Sequence, residues 1–192
     1  MRADGWMILR QRISARRPRS GGFTVIELMV VLAVTVILMA VAAPAFQPIV
    51  QQNRTLTEMN ALTASMRVAR AEAMRQGLPV TVCASSNGTS CSGRAAWESG
   101  WIAFVDRDAN QAVDTVDQVV RVQSGFTGGD TIAASSSVAA VTFSRDGFAF
   151  NLGTAVTWTI RTSPVSQNAT RCLVLSRVGR LQELAYDGQQ CT

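Results

Sequence analysis

Hydrophobic and polar positions change their pattern twice along this chain after an arginine-rich start. Residues 23–43 are apolar everywhere except at Thr24, Glu27 and Thr35. A helix rises about 1.5 Å per residue, so this run matches the roughly 30 Å hydrocarbon core of a bilayer. Glu27 is its sole charged residue, and an ionised group at that depth is costly unless something compensates it. Residues 49–76 then take a helical period. Leu56, Met59, Leu62, Met66, Ala69 and Ala73 recur three and four apart, leaving Arg54, Glu58, Arg67, Arg70, Glu72 and Arg75 to the other faces. Gly77 and Pro79 supply a cap and a stop.

From residue 79 the pattern shortens to strand-like runs between Gly, Asn, Asp and Ser. The predicted strands are residues 80–84, 101–105, 116–122, 138–143, 148–150, 155–161, 172–176 and 180–184. One long helix followed by eight short strands is an α+β protein. The Ala/Ser-rich stretch 133–137 reads as a surface loop.

Charge changes this picture only at the N-terminus. The formal charge is +5, and residues 1–22 hold six arginines against Asp4, so everything after Gly22 is neutral overall. An arginine-rich tail before an apolar helix follows the positive-inside pattern, with a cytoplasmic N-terminus and the remainder exported. In an exported body the four cysteines, Cys83, Cys91, Cys172 and Cys191, read as two disulfides with three conceivable connectivities. Pairing within each sequence-adjacent couple is the simplest. The chain has no histidine and no CxxC, which removes Ser-His-Asp, Cys-His and His-zinc chemistry; it also lacks a phosphate-binding glycine loop. An enzyme, and with it a cofactor, is not expected.

Two residue groups invite a ligand. Asp106, Asp108, Asn110, Asp114 and Asp117 follow the spacing of a calcium loop, but Gln111 stands where such a loop needs glycine and Asp117 where a longer Glu reaches in. A polar hairpin loop is the plainer account. Arg171, Arg177 and Arg180 cluster in sequence near the C-terminus and could grip phosphates. Solvated strand arginines on a neutral body are the plainer account there too.

Residues 1–46 admit a secretory signal with an Ala-Val-Ala site at 40–42, or a plain anchor, but neither gives Glu27 a purpose. Gly22 followed by Phe23-Thr24-Val25-Ile26-Glu27-Leu28, after a basic leader and before an unbroken apolar helix, resembles the class III signal of type IV pilins and pseudopilins. The resemblance implies that a prepilin peptidase cuts after Gly22 and methylates the new terminal amine of Phe23. It also implies that Glu27 neutralises a neighbour's buried amine in a filament core, and that Pro44 kinks the helix where the membrane segment ends. The leader is longer than the handful of residues usual in that family, and Met7 offers an internal start.

The couple Cys83 and Cys91, followed by WESGWIAFVDRDANQAVDTVDQVVRV, VTFSRDGF and RCLVLSRVGRLQ, resembles the GspH/FimT branch of the minor pilins and pseudopilins. The resemblance implies a leader (1–22), a transmembrane and filament-core helix (23–43), an amphipathic helix (44–78) and a β-rich periplasmic domain (79–192). It further implies a single-pass inner-membrane subunit that helps start or tip a type IV pilus or a type II secretion pseudopilus. Its partners would be other minor and major pilins or pseudopilins, the peptidase and the inner-membrane assembly platform. The alternative is a DNA-binding subunit in natural transformation. FimT-group members implicated in uptake carry Gly-Arg-x-Arg, whereas Gly179-Arg180-Leu181 is followed here by Gln182 and Glu183, so the second arginine is missing.

Overall fold

A computed structural model describes residues 22–191, without the side chains of Val41, Ala43, Pro44 and Ala45. The chain divides into two compact units, Met1–Ala42 and Ala43–Thr192. Helix α1, Val25–Gln76, contributes to both. Its assignment passes through Pro44 and Pro48, so neither proline ends it.

In the first unit Thr24 caps α1, its hydroxyl accepting the Glu27 backbone N–H at 3.2 Å. Glu27 thereby occupies the first turn, where a carboxylate suits the positive end of the helix dipole. The Thr35 hydroxyl donates to the Val31 carbonyl at 2.7 Å, so this polar side chain is satisfied within the helix. Among the described residues no helix is long and apolar enough to cross a membrane. The apolar run of the sequence extends to Ala43, past Val41, and both of those side chains lie outside the described residues.

In the second unit the helix stripe of Met59, Leu62, Met66, Ala69 and Ala73 is buried against two antiparallel four-stranded sheets. The strands are β1 Val80–Ala84, β2 Gly100–Val105, β3 Gln118–Ser124, β4 Thr131–Ala134, β5 Ala140–Phe143, β6 Val156–Arg161, β7 Arg171–Leu175 and β8 Leu181–Leu184. One sheet runs β3-β2-β1-β5 and the other β4-β6-β7-β8. Alternation along each strand decides what faces the core. Val80, Val82 and Ala84 of β1 and Trp101, Ala103 and Val105 of β2 join the helix stripe. Cys83, Ile102 and Phe104 point the other way, into a small cluster with Cys91 and Val113. On β6, Val156, Trp158 and Ile160 face inward. Trp158 meets Trp97 edge-on at 5.5 Å, and the Trp97 indole N–H donates to the Val138 carbonyl at 2.8 Å.

Disulfides join Cys83 to Cys91 and Cys172 to Cys191. Gly77 ends α1 with φ +69°, its N–H donating to the Ala73 carbonyl at 2.9 Å, as the Gly-x-Pro signal implies.

Three expectations need correction. Residues 148–150 are not a strand. Apart from a single bridge between Phe143 and Ala149, this segment belongs to a turn fastened by Ala149 N–H to the Arg177 carbonyl, and it exposes both phenylalanines. Residues 131–134 are a strand: β4 pairs with β6, and the chain then turns through a short 3-10 helix, Ser135–Ser137, so only the end of the 133–137 stretch leaves the sheet. Finally, Glu58 is not on a solvated face; it is 3% exposed.

Candidate assembly interface

The apolar part of α1 shows what the first unit offers. Phe23 is 83% exposed, and Val25, Ile26, Leu28, Met29, Val30, Val31, Leu32, Val34, Val36, Ile37, Leu38 and Met39 are all exposed. A surface of this kind is covered by lipid or by other chains when the protein works. At its start stands the Glu27 carboxylate, one turn from Phe23, the residue after Gly22. Pro44, also expected to serve assembly, has its side chain outside the described residues.

The 106–117 loop is organised by its own carboxylates. Asp106 is buried, accepting the Thr81 hydroxyl at 2.6 Å and the N–H groups of Asn110 and Gln111 at 3.0 Å each. Burial pushes the Asp106 carboxyl up from its usual range, and these three donors oppose the shift. Asp117 accepts the N–H groups of Arg107 and Asp114, while Asp108 takes the Asn110 amide. Among the described residues no three acidic, cysteine or histidine side chains are grouped so as to hold a metal ion. The calcium-like spacing thus falls in the loop between β2 and β3, where Asp106 and Asp117 accept N–H groups of the loop and Asp106 also accepts the Thr81 hydroxyl.

The three C-terminal arginines do not form one group: Arg171 stands apart from Arg177 and Arg180. Arg171 opens β7 and donates to the carbonyls of Asn168 and Thr170 at 3.3 Å. Arg177 and Arg180 belong to the turn beyond the other end of β7, separated from Arg171 by about 13 Å of strand at roughly 3.3 Å per residue. That turn is held by Arg70 of α1, whose guanidinium donates to the carbonyls of Gly179 at 2.9 Å and Val178 at 3.3 Å. Beside it Phe148, Phe150 and Val178 are exposed.

A further cluster lies on the part of α1 that belongs to the second unit, and it joins residues far apart in sequence. The Arg54 guanidinium makes a two-pronged ion pair with Asp130, Nε at 2.9 Å from Oδ2 and Nη2 against Oδ1, and Nη2 also donates to the Gly128 carbonyl at 2.7 Å. Gly128 has no room for a Cβ, which would collide with that guanidinium. Asp130 accepts the Ser163 N–H as well, at 2.9 Å. Glu58 sits one turn after Arg54, buried beside them. The residues Val50, Asn53, Arg54, Thr57, Glu58, Phe126, Thr127 and Gly128 line a groove of about 500 Å³. A signal was available: Glu58 precedes Leu62 by four and Met66 by eight, so at 100° per residue it lies within the buried stripe.

The profile of the family described as type II transport protein GspH matches residues 58–179, more than half of the chain. The prokaryotic N-terminal methylation motif matches residues 17–43. Two crystal forms of the type IV minor pilin FimU of Pseudomonas aeruginosa share the fold. In space group P21 it is 22% identical with a TM-score of 0.58, covering 73% of this chain and 96% of that one. In P65 the values are 23%, 0.55, 71% and 99%. No curated protein matches the chain.

Proposed function

As a member of the GspH family of minor pilins and pseudopilins, the chain is a structural subunit, and we propose that it works by entering a filament through α1. The observation that carries this reading is the exposed apolar surface from Phe23 to Met39, with Glu27 one turn from its start. Prepilin peptidase cuts after Gly22 and methylates the Phe23 amine, consistent with the matched methylation motif. Residues 23–43 then hold the subunit in the inner membrane, N-terminus cytoplasmic, with residues 44–78 and the β-rich 79–192 in the periplasm.

Extraction into a filament exchanges lipid for neighbouring pilin helices around the same apolar surface. That exchange needs little free energy from apolar burial, since both environments are dry. The costly element is charge. A terminal amine taken into the helix bundle requires a counter-charge, and Glu27 of the adjoining subunit supplies it. The subunit serves at initiation or at the tip, in a type IV pilus or a type II secretion pseudopilus, alongside other minor and major subunits and the inner-membrane platform. DNA capture, for which Arg171 would stand at the opposite end of β7 from Arg177 and Arg180, is the weaker reading.

The test is the composition of filaments sheared from the cell surface. The chain should be present at far below the level of the major subunit, and its deletion should reduce filament number. Filaments that lack it and form normally after its deletion would overturn the proposal.

A further inference from the structure

Glu58 presents a chemical problem that the assembly reading does not use. It is 97% buried by its 3% exposure, and its Oε2 has no hydrogen-bond partner among the described residues. Arg54 is already committed to Asp130 and to the Gly128 carbonyl. Asp130, 4% exposed, has both oxygens engaged, by Arg54 and by the Ser163 N–H. Glu58 thus lies beside an ion pair whose guanidinium is already taken. An ionised carboxylate can only accept, so Glu58 and Asp130 have no donor between them. A single proton supplies that donor and removes the surplus charge.

We infer that the buried Glu58 keeps a proton directed at Asp130, and that its loss loosens the β3–β4 connection from α1, making this tie a pH-sensitive latch. In the closed state the Glu58 carboxylic acid donates to the Asp130 carboxylate, which in turn holds Arg54 and the Ser163 N–H. When the proton leaves to solvent, two buried negative charges face one positive charge. Separating Asp130 from Glu58 and admitting water relieves the repulsion. The neighbouring groove at Val50, Thr57 and Phe126 gives that water a way in.

The electrostatics agree with the geometry. Burial raises Glu58 from 4.5 to about 7, followed by the charge of Asp130 and the hydrogen bond to it, with Arg54 opposing. Arg54 on the same helix and Asp130 from the β3–β4 connection are the charged groups that act on it. The β6–β7 connection contributes the uncharged Ser163 N–H, directed at Asp130. Because the folded value exceeds the unfolded 4.5, the stabilisation is full below 4.5 and is lost as pH rises through about 7. The window lies in a range that a periplasm open to its surroundings would experience.

Amide hydrogen exchange on the full chain in detergent micelles tests the latch, at about pH 5.5 and about pH 8.5 with intrinsic rates divided out. Protection of the Phe126 N–H, which donates to the Glu98 carbonyl, and of the Ser163 N–H should fall about tenfold or more at the higher pH. Glu58→Gln, which keeps a donor at every pH, should hold the protected state at both. Equal protection of the unmodified protein at both pH values overturns the inference, and so does the same loss in Glu58→Gln. A ¹³C carboxyl titration of the unmodified chain stands apart from any folding failure of the variant. A Glu58 midpoint near neutrality supports the latch, and one below about 5, the ordinary range for Glu, overturns it.

Discussion

Replacing Glu27 by alanine should leave the leader cleaved and the chain in the membrane, yet lower its incorporation into filaments by at least about 100-fold. Uncompensated burial of one charge from a pair costs roughly 3–5 kcal/mol, and each 1.4 kcal/mol is tenfold in an equilibrium. Here the charge left alone would be the neighbour's terminal amine. Glu27→Gln should fail almost as badly, because an amide keeps the size and hydrogen bonding but not the counter-charge. The measurement is the fraction of mature subunit that sediments with sheared filaments, normalised to membrane-bound subunit. The first-turn position gives Glu27 a second, milder contribution through the helix dipole, typically under 1 kcal/mol at an exposed site. If dipole stabilisation were its whole role, incorporation of the alanine variant would stay within a few-fold of normal.

Trp158→Ala should be the most destabilising single change in the second unit, at about 3–5 kcal/mol. Trp158 is fully buried on β6, at the layer where the sheets and α1 share one core, and its ring abuts Trp97. Removing the indole leaves a cavity that the surrounding sheets cannot close, because β6 is paired on both sides, with β4 and β7. With a urea dependence of about 2 kcal/mol per molar, the unfolding midpoint followed by far-ultraviolet circular dichroism should drop by about 2 M. A drop below about 0.5 M would mean that Trp158 does not anchor the core.

The same residues show why some elements were legible in sequence and others were not. The helix over 49–76 carries a stripe long enough for its period to be unmistakable, and Gly77 and Pro79 mark its end through backbone chemistry. Strands β1, β2 and β6 are rich in Val, Ile, Thr and Trp, so local preference and tertiary burial agree. In β4, Thr-Ile-Ala-Ala has two strand formers followed by two alanines; its pairing with β6 comes from tertiary context. Residues 148–150 mislead in the opposite sense, since two phenylalanines promise burial, whereas Gly147, with φ +80°, turns the chain so that only Ala149 faces inward.

The candidate sites divide in the same way. Gly22, Phe23 and Glu27 form a contiguous motif and can be read from a single line of sequence. The Arg54, Glu58 and Asp130 cluster joins residues 76 positions apart, so only folding assembles it. Conversely, Arg171 is a neighbour in sequence of Arg177 and Arg180 that strand β7 separates from them, while those two stay in one turn. The spacing of 106–117 does not by itself choose between two uses of the same oxygens: a carboxylate can satisfy backbone N–H groups of its own loop, as Asp106 and Asp117 do, as readily as it can ligate a cation.

The most direct measurement is the mass and N-terminal sequence of the mature chain, isolated from cells that contain prepilin peptidase. The account predicts a chain beginning at Phe23 with a methylated amine. An uncleaved N-terminus, or one generated by cleavage after Ala42, would contradict it.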